Sequence, residues 1–226
     1  EAKQHGLLAS QLSDALKGEG TGRRIGPSPA ATSPLVFDIE PVRTLDDLVL
    51  PPSVEANVRE LVEEHHRHEL LRTHGLEPRH RLLLVGPPGS GKTSLAEAIA
   101  AEISMPLLVT RYEALITSYL GETASRLDAL FEAVRARPSV LFFDEFDTIA
   151  KERGDTHETG EIKRVVSSLL LQIDRLPSYV VVVVATNHPE LLDRAVWRRF
   201  QARLTLPAAT RDGVVAFLDR WTTRSG

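Results

Sequence analysis

The strongest structural signal in the chain is the stretch Leu82-Leu83-Leu84-Val85-Gly86-Pro87-Pro88-Gly89-Ser90-Gly91-Lys92-Thr93. Its apolar start predicts a strand, its glycine-rich centre a loop, and residues 95–101 a helix. Such a loop turns backbone N–H groups towards a phosphate, and the start of the helix adds a partial positive charge. We expect Lys92 to reach the β- and γ-phosphates and Thr93 to ligate Mg²⁺. The stretch therefore predicts a site for a nucleoside triphosphate.

A pair of carboxylates follows the apolar run 140–143, which predicts a buried strand. Ligands bind at the carboxyl ends of the strands in open α/β sheets, so Asp144 and Glu145 are expected to face the phosphate loop. Asp144 suits the Mg²⁺ shell, and Glu145 is placed to polarise a water for in-line attack on the γ-phosphate. Asp147 stands at a position consistent with a structural role.

A third apolar run, 180–185, ends in Thr186 and Asn187. Its consecutive valines predict a strand that is buried on both faces, in the interior of the sheet. The Asn187 amide would orient the attacking water or sense the γ-phosphate. A simple turn at Asn187 fits the sequence equally well.

Helical patterns alternate with apolar runs along the chain, which predicts parallel strands joined by helical crossovers. The expected fold is α/β, with a five-stranded parallel sheet covered by helices on both faces. The predicted strands are 81–85, 107–109, 140–143, 180–185 and 203–206. A charged helix over 53–75 precedes the sheet. Its His65 and His68 lie one turn apart without a third ligand, which favours a solvated helix face over a metal site.

Composition divides the chain into four predicted segments. Residues 1–17 have leucines four apart, typical of an amphipathic helix that packs on the main body or docks a partner. Residues 18–44 include a Gly/Pro/Ser-rich stretch and are predicted to be a linker. The large α/β domain is expected over 45–208. Residues 209–226 are expected to form the first helix of a truncated C-terminal lid.

Bulk composition argues against several classes of protein. The formal net charge is −4, with 27 basic and 31 acidic residues, so nucleic acid is not an expected partner. The chain has no cysteine, which excludes disulfides and thiolate metal sites. No apolar run approaches the ~20 residues of a membrane helix. We expect a cytoplasmic protein without a membrane segment in this chain, although a start at Glu1 rather than Met allows for a longer native chain.

The phosphate loop, the acidic pair and Asn187, in this order, resemble the AAA+ superfamily of P-loop ATPases over about residues 45–210. The resemblance implies ATP hydrolysis, with ATP and Mg²⁺ as cofactors. It implies Lys92, Glu145 and Asn187 as catalytic residues. It also implies that Asp47 and Leu48 touch adenine, although the glycine usual just after this segment is replaced by Leu50-Pro51.

A further match, Ser118-Tyr119-Leu120-Gly121-Glu122, resembles the aromatic–aliphatic–glycine loop that lines the central pore of AAA unfoldases. In that family the ring residue grips an extended polypeptide. The resemblance therefore implies that Tyr119, Leu120 and Gly121 contact a protein substrate, with Gly121 supplying the turn.

The adjacent residues Arg198 and Arg199 resemble the arginine-finger segment of the superfamily. A guanidinium that reaches the neighbouring subunit's site would neutralise charge developing on the transferred phosphoryl group. Adjacent arginines occur in katanin, spastin and the ATPases that disassemble ESCRT polymers. Membrane-anchored AAA proteases usually separate the two with Pro-Gly. The resemblance implies a homo-oligomer, a hexamer, with fingers acting in trans.

The leading hypothesis is a ring-forming ATPase that couples ATP hydrolysis to threading or remodelling of a protein substrate. Two alternatives remain open. One is an ATP-switched regulator of a partner protein, since small bacterial AAA proteins similar to this one sometimes work beside a partner enzyme. The other is the ATPase segment of a membrane-anchored AAA protease, which the adjacent arginines argue against. The sequence assigns neither the protein substrate nor the second-sensor residue of the lid.

Overall fold

The structure is a computed structural model that describes residues 36–110, 120–147, 159–192 and 194–225. In these residues a six-stranded sheet lies between two layers of helices. Its strands are β1 (Val36–Ile39), β2 (Arg81–Val85), β3 (Leu107–Thr110), β4 (Ser139–Phe143), β5 (Val180–Thr186) and β6 (Ala202–Thr205). The helices are α1 (Pro52–His66), α2 (His68–Thr73), α3 (Lys92–Glu102), α4 (Leu120–Arg135), α5 (Thr159–Asp174), α6 (Arg194–Trp197) and α7 (Arg211–Ser225).

The strands follow the order β1-β3-β4-β5-β2-β6, and all but β1 are parallel. Strand β2 therefore lies between β5 and β6, with Val85 opposite both Thr186 and Thr205. Because β2, β4 and β5 run in one direction, the polar residues that follow them emerge at one edge of the sheet. We call this edge the carboxyl edge and the opposite one the amino edge. The predicted α/β class is confirmed.

The sheet has one strand more than predicted. Strand β1 pairs antiparallel with β3 and lies within the segment expected to be a linker. Val36 is buried in the core, and Asp38 forms an ion pair with Arg137, which precedes β4. Only four residues form β1, and the partners that stabilise them lie far along the chain. A composition rich in Gly, Pro and Ser just before β1 hides such an edge strand from sequence patterns.

Strand β5 shows why the sheet needs helices on both faces. All of its residues are buried. Val182 packs in the cluster that contains Phe131 of α4, whereas Val183 packs in the cluster that contains Ile99 of α3. Side chains alternate between the two faces of a strand, so a continuous run of valines requires apolar neighbours on each face.

The helical segment before the sheet differs from the prediction in two ways. It is broken into α1 and α2 at Arg67, and Gly75, with φ of 71°, follows it in the left-handed region. His65 is buried, not solvated, and its Nε2 lies 2.8 Å from the carbonyl oxygen of Arg79. The residues 77–80 lead into β2 and cover this histidine, a tertiary contact that helical periodicity does not reveal.

Two further observations bear on earlier expectations. The backbone of Leu120 and Gly121 begins α4, so Gly121 lies in a helix and does not form the expected turn. The first turn of a helix tolerates glycine because its N–H groups have no partner within the helix. Among the helices of the described ranges, none has both the length and the apolar character needed to cross a bilayer.

Candidate active site

The phosphate loop joins β2 to α3 at the carboxyl edge. Gly89 and Gly91 have φ of 76° and 90°, conformations that residues with a side chain rarely adopt. A Cβ on Gly86 would come within 2.3 Å of the Leu206 carbonyl oxygen, which follows β6. Glycine at these positions thus lets the loop turn tightly against the sheet and expose its backbone.

Lys92, the first residue of α3, holds the centre of the site. The residue is only 7% exposed. Its Nζ donates to the carbonyls of Gly86 and Pro87 at 2.8 and 3.0 Å and to Oδ1 of Asn187 at 2.7 Å. Burial lowers the pKa of Lys92, while the nearby carboxylates of Asp144, Asp147 and Glu145 act in the opposite direction. The ammonium group therefore lies where it would contact an anion bound to the loop.

Thr93 and Asp144 form an oxygen pair beside this lysine. The Thr93 hydroxyl donates to Oδ2 of Asp144 at 2.9 Å, although the two residues are 51 positions apart. Hydroxyl and carboxylate oxygens are ligands that Mg²⁺ accepts, with waters and phosphate oxygens supplying the remaining positions. The donor set therefore fits a magnesium ion shared with a nucleotide.

Glu145 leaves β4 in an unusual backbone conformation. Its φ is 48°, in the left-handed region that disfavours residues with a side chain, and its N–H bonds to Oδ1 of Asp144 at 2.9 Å. The next two residues, Phe146 and Asp147, are buried, whereas Glu145 is exposed. Backbone strain of this kind is found at functional sites where the surroundings hold it in place. Here it turns the carboxylate out of the core at the carboxyl edge.

Asp147 fixes the end of β5. The sequence indicated a structural role for Asp147 but not its partners. Its Oδ1 accepts from the Thr186 hydroxyl at 3.1 Å and from the Asn187 N–H at 3.0 Å. Asp147 is 3% exposed, so these bonds form away from solvent. The arrangement sets the backbone from which the Asn187 amide reaches Lys92. The only signal in the sequence was its position just after the acidic pair.

A cleft of about 660 Å³ adjoins the phosphate loop. Its walls are mostly apolar and come from residues 48–51, the loop with the start of α3, and residues 206–217. Leu48 lines the cleft, whereas Asp47 does not, and the predicted adenine contacts remain predictions. The Asp47 carboxylate instead accepts from the N–H and the hydroxyl of Thr44, at 2.7 and 3.0 Å. The wall from residues 206–217 was not predicted, since apolar residues at a helix start resemble ordinary core positions.

The two predicted finger arginines lie at the amino edge. They follow α6 and precede β6, whose Ala202 pairs with Leu82 near the start of β2. Arg199 Nε donates to Oδ2 of Asp174 at 2.8 Å, and Arg81 Nη1 donates to Oδ1 of the same carboxylate at 2.9 Å. Arg198 is exposed, and its side chain has no partner among the residues that the structure describes.

The structure thus brings Lys92, Thr93, Asp144, Glu145 and Asn187 to one edge and leaves Arg198 and Arg199 at the other. Tyr119 lies outside the described residues, and only the backbone of Leu120 and Gly121 is described. The predicted pore contacts therefore remain predictions.

Comparison with known proteins gives a consistent result. The chain matches the "ATPase family associated with various cellular activities (AAA)" over residues 82–208, more than half of its 226 residues. It is 47% identical over 177 residues to an uncharacterized AAA family ATPase, y4kL, of Sinorhizobium fredii, covering 77% of this chain and 53% of that protein. It is 42% identical over 134 residues to the peroxisomal ATPase pex6 of Schizosaccharomyces pombe, covering 57% of this chain and 14% of that protein.

A further relative is protein SAV of Sulfolobus acidocaldarius, 37% identical over 161 residues, which are 69% of this chain and 21% of that protein. The chain spans about half of the length of y4kL and much less of the other two. The phosphate loop, the acidic pair and Asn187 all lie within residues 82–208. The predicted family is confirmed by this match: the chain belongs to the AAA family of ATPases, whose ATPase domain residues 82–208 match.

Proposed function

We propose that this protein hydrolyses ATP with Mg²⁺ at the carboxyl edge of its sheet and acts in a ring, a hexamer, that remodels a protein substrate. The observation that carries the hydrolytic part is the convergence of Lys92 Nζ, the Asn187 amide and the Thr93–Asp144 pair at the ends of β2, β4 and β5. Three strands that are distant in sequence bring together groups suited to a triphosphate and its cation.

Nucleotide binding would replace hydrogen bonds that Lys92 now makes within the protein by hydrogen bonds to phosphate oxygens. Its ammonium group now donates to two loop carbonyls and to Asn187. Phosphate oxygens carry negative charge and therefore accept stronger hydrogen bonds than these neutral oxygens. The loop N–H groups and the start of α3 add donors that favour the same anion. Apolar walls in the adjoining cleft suit a flat, weakly polar base.

A bound Mg²⁺ would neutralise charge on the β- and γ-phosphates. The Thr93 hydroxyl and the Asp144 carboxylate would hold it, because their oxygens already lie 2.9 Å apart. Ligation would not require this hydrogen bond to break, because the Thr93 hydroxyl oxygen has lone pairs in addition to the hydrogen that it donates to Asp144.

Glu145 is the residue that we assign as the general base. The water oxygen attacks the γ-phosphorus, its proton moves to the Glu145 carboxylate, and the bond to the β-phosphate oxygen breaks so that ADP leaves. Asn187 supplies an amide that orients the water or the γ-phosphate, and Asp147 holds its backbone. The exposed position of Glu145 leaves room for that water.

The position of the arginines supports action between copies of the chain. Arg199 is tied through Asp174 to Arg81 at the start of β2, whereas Lys92 follows the other end of β2. The four residue steps of β2 separate these ends by roughly 13 Å, at ~3.3 Å per residue. Neither Arg198 nor Arg199 serves the site of its own chain in this arrangement. In a ring, the amino edge of one copy would meet the nucleotide of its neighbour.

Two observations support the remodelling of a protein substrate. The stretch Tyr119-Leu120-Gly121 resembles a pore loop, and the relatives include ATPases named as peroxisomal.

A ring motor would need Tyr119 to process its substrate, whereas an ATP-driven switch would not. We expect Tyr119→Ala to retain ATP hydrolysis but to stop unfolding of a fluorescent protein that carries an unstructured tail. Unfolding at the wild-type rate would favour the switch.

The hydrolytic assignment is tested with Glu145→Gln in full-length protein. Loss of the base should lower steady-state ATP turnover by at least about a hundredfold, while binding of ATP with Mg²⁺ stays within about threefold of wild type. The control is Glu132→Gln, which removes one exposed carboxylate from α4 and should leave both quantities unchanged. Turnover at the wild-type rate in Glu145→Gln would refute the assignment.

A further inference from the structure

The side chain of Arg220 connects α7 to the segment that leads into α1. Arg220 lies near the end of α7, and its Nη1 donates to the carbonyl of Leu48 at 2.6 Å and to that of Asp46 at 3.3 Å. The partners are 172 and 174 residues away in sequence. A charged donor on two neighbouring carbonyls restrains both the segment and the helix.

The segment held by Arg220 forms one wall of the cleft beside the phosphate loop. Leu48 and the residues up to Pro51 line the cleft on one side, and the first half of α7, including Val214 and Phe217, lines it on the other. Arg220 joins the two walls beyond the cleft, about one turn further along α7 than Phe217. The distance between the walls therefore depends on this side chain.

Each wall is held differently on its remaining side. The segment is tied to the ATPase domain at Leu45, whose N–H donates to Glu102 Oε1 of α3 at 3.0 Å. Helix α7 has weaker support, because its apolar side chains at Val214, Val215, Phe217 and Leu218 are 45–51% exposed. Little apolar burial means little packing energy to fix the helix against the domain. The hydrogen bonds from Arg220 therefore provide part of the stabilisation that packing does not provide.

We propose that Arg220 is a positioning residue that sets the width of the base cleft by tying α7 to the carbonyls of Leu48 and Asp46. This inference rests on the proposed nucleotide site. The part of the nucleotide that depends on Arg220 is the base, since the cleft walls would contact the base and the loop would hold the phosphates. Affinity for ATP should therefore depend on Arg220, and affinity for a bare phosphate chain should not.

The test compares ATP with inorganic tripolyphosphate, each with Mg²⁺, by titration calorimetry on the full chain. We expect Arg220→Ala to weaken ATP binding about tenfold and to change tripolyphosphate binding less than twofold. Arg220→Lys keeps the charge and one donor and should lose less. Arg72→Ala removes an exposed arginine from α2, far from the cleft, and should match wild type for both ligands.

Two results would overturn the role of Arg220: ATP affinity unchanged in Arg220→Ala, or equal losses for ATP and tripolyphosphate. If Arg220→Ala unfolds, Arg220→Lys measured alone decides the matter by the same ratio of affinities. Failure of the proposed function itself gives a different pattern, because wild type would then bind neither ligand.

Discussion

The two edges of the sheet carry opposite kinds of site. At the carboxyl edge a buried ammonium group, three acidic side chains and an amide converge within one chain. At the amino edge the side chains are cationic. Arg81 and Arg199 both pair with the carboxylate of Asp174, and Arg198 is exposed. The carboxyl edge is assembled to receive an anion and a metal ion. The amino edge instead has three guanidinium groups, two of which already pair with a carboxylate of their own chain.

This difference follows from chain topology. Parallel strands place every strand end at one edge and every strand start at the other, so a strand of five residues keeps the two sets of groups apart. A catalytic unit that needs both sets must therefore combine two copies. Changes at the carboxyl edge should affect nucleotide chemistry in the chain that carries them, whereas changes at the amino edge should not affect its nucleotide affinity.

Among substitutions of supporting residues, the largest effect is expected at the carboxyl edge, for Asp147→Ala. Its loss leaves Thr186 and the Asn187 N–H without their buried acceptor, which costs about 1–3 kcal/mol of unfolding free energy. Turnover should fall about tenfold because the Asn187 amide is misplaced, with ATP affinity changed less than about threefold. Steady-state kinetics and urea unfolding measure the two effects.

A double-mutant cycle separates positioning from general loss of stability. If Asp147 acts through Asn187, the double variant Asp147→Ala/Asn187→Ala should turn over no more slowly than Asn187→Ala alone. Additive losses would show that the two residues act independently.

The sequence predicted the functional residues of the carboxyl edge far better than the residues that hold the two edges in place. The phosphate loop and the acidic pair follow apolar runs, so local pattern and strand direction together place them at one edge. Asp147 and Asp174 act through partners 39 and 93 residues away, and such pairings leave no local pattern. Strand β1 and Arg220 were missed for the same reason. The burial of His65 depends on the residues that cover it, which helical spacing does not specify.

A smaller effect is expected at the amino edge, for Asp174→Asn. Arg81 and Arg199 lose their shared counter-charge, but these groups are partly exposed, with side-chain exposures of 22–31%. We expect a loss of about 1–2 kcal/mol in the free energy of unfolding. ATP affinity of the same chain should stay within about twofold, since the contacts lie away from the phosphate loop.

Urea unfolding and calorimetry check this prediction, with Glu63→Gln as the control. Glu63 pairs with Arg67 one helical turn away on the surface of α1, so its loss should cost less than about 0.5 kcal/mol. An ATP affinity in Asp174→Asn reduced by tenfold would contradict the separation of the two edges.

The smallest effect concerns pH and two buried histidines, His65 of α1 and His80 just before β2. Burial lowers the pKa of His65 and of His80, although hydrogen bonds to the backbone act against it. Below their unfolded-state pKa of about 6.5, the unfolded chain binds more protons, so stability falls as the solution becomes more acidic. Between pH 7.5 and 5.5 each histidine contributes at most about 1.4 kcal/mol to this loss.

Urea unfolding at the two pH values measures the slope. His65→Gln should flatten it, whereas His74→Gln, an exposed position, should leave it unchanged. A slope that is the same in wild type and His65→Gln would show that the buried histidine does not titrate as described.

The most direct test of the two-edge account mixes two variants that are damaged at different edges. Lys92→Ala removes the phosphate contact, and Arg198→Ala/Arg199→Ala removes the guanidinium groups. Each alone should retain less than about a hundredth of wild-type ATP turnover. After co-assembly is verified by pull-down, the mixture should turn over ATP several-fold faster than the mean of the two variants, because some interfaces pair an intact carboxyl edge with an intact amino edge. Turnover at that mean in co-assembled rings, or wild-type turnover by the arginine variant, would contradict the account.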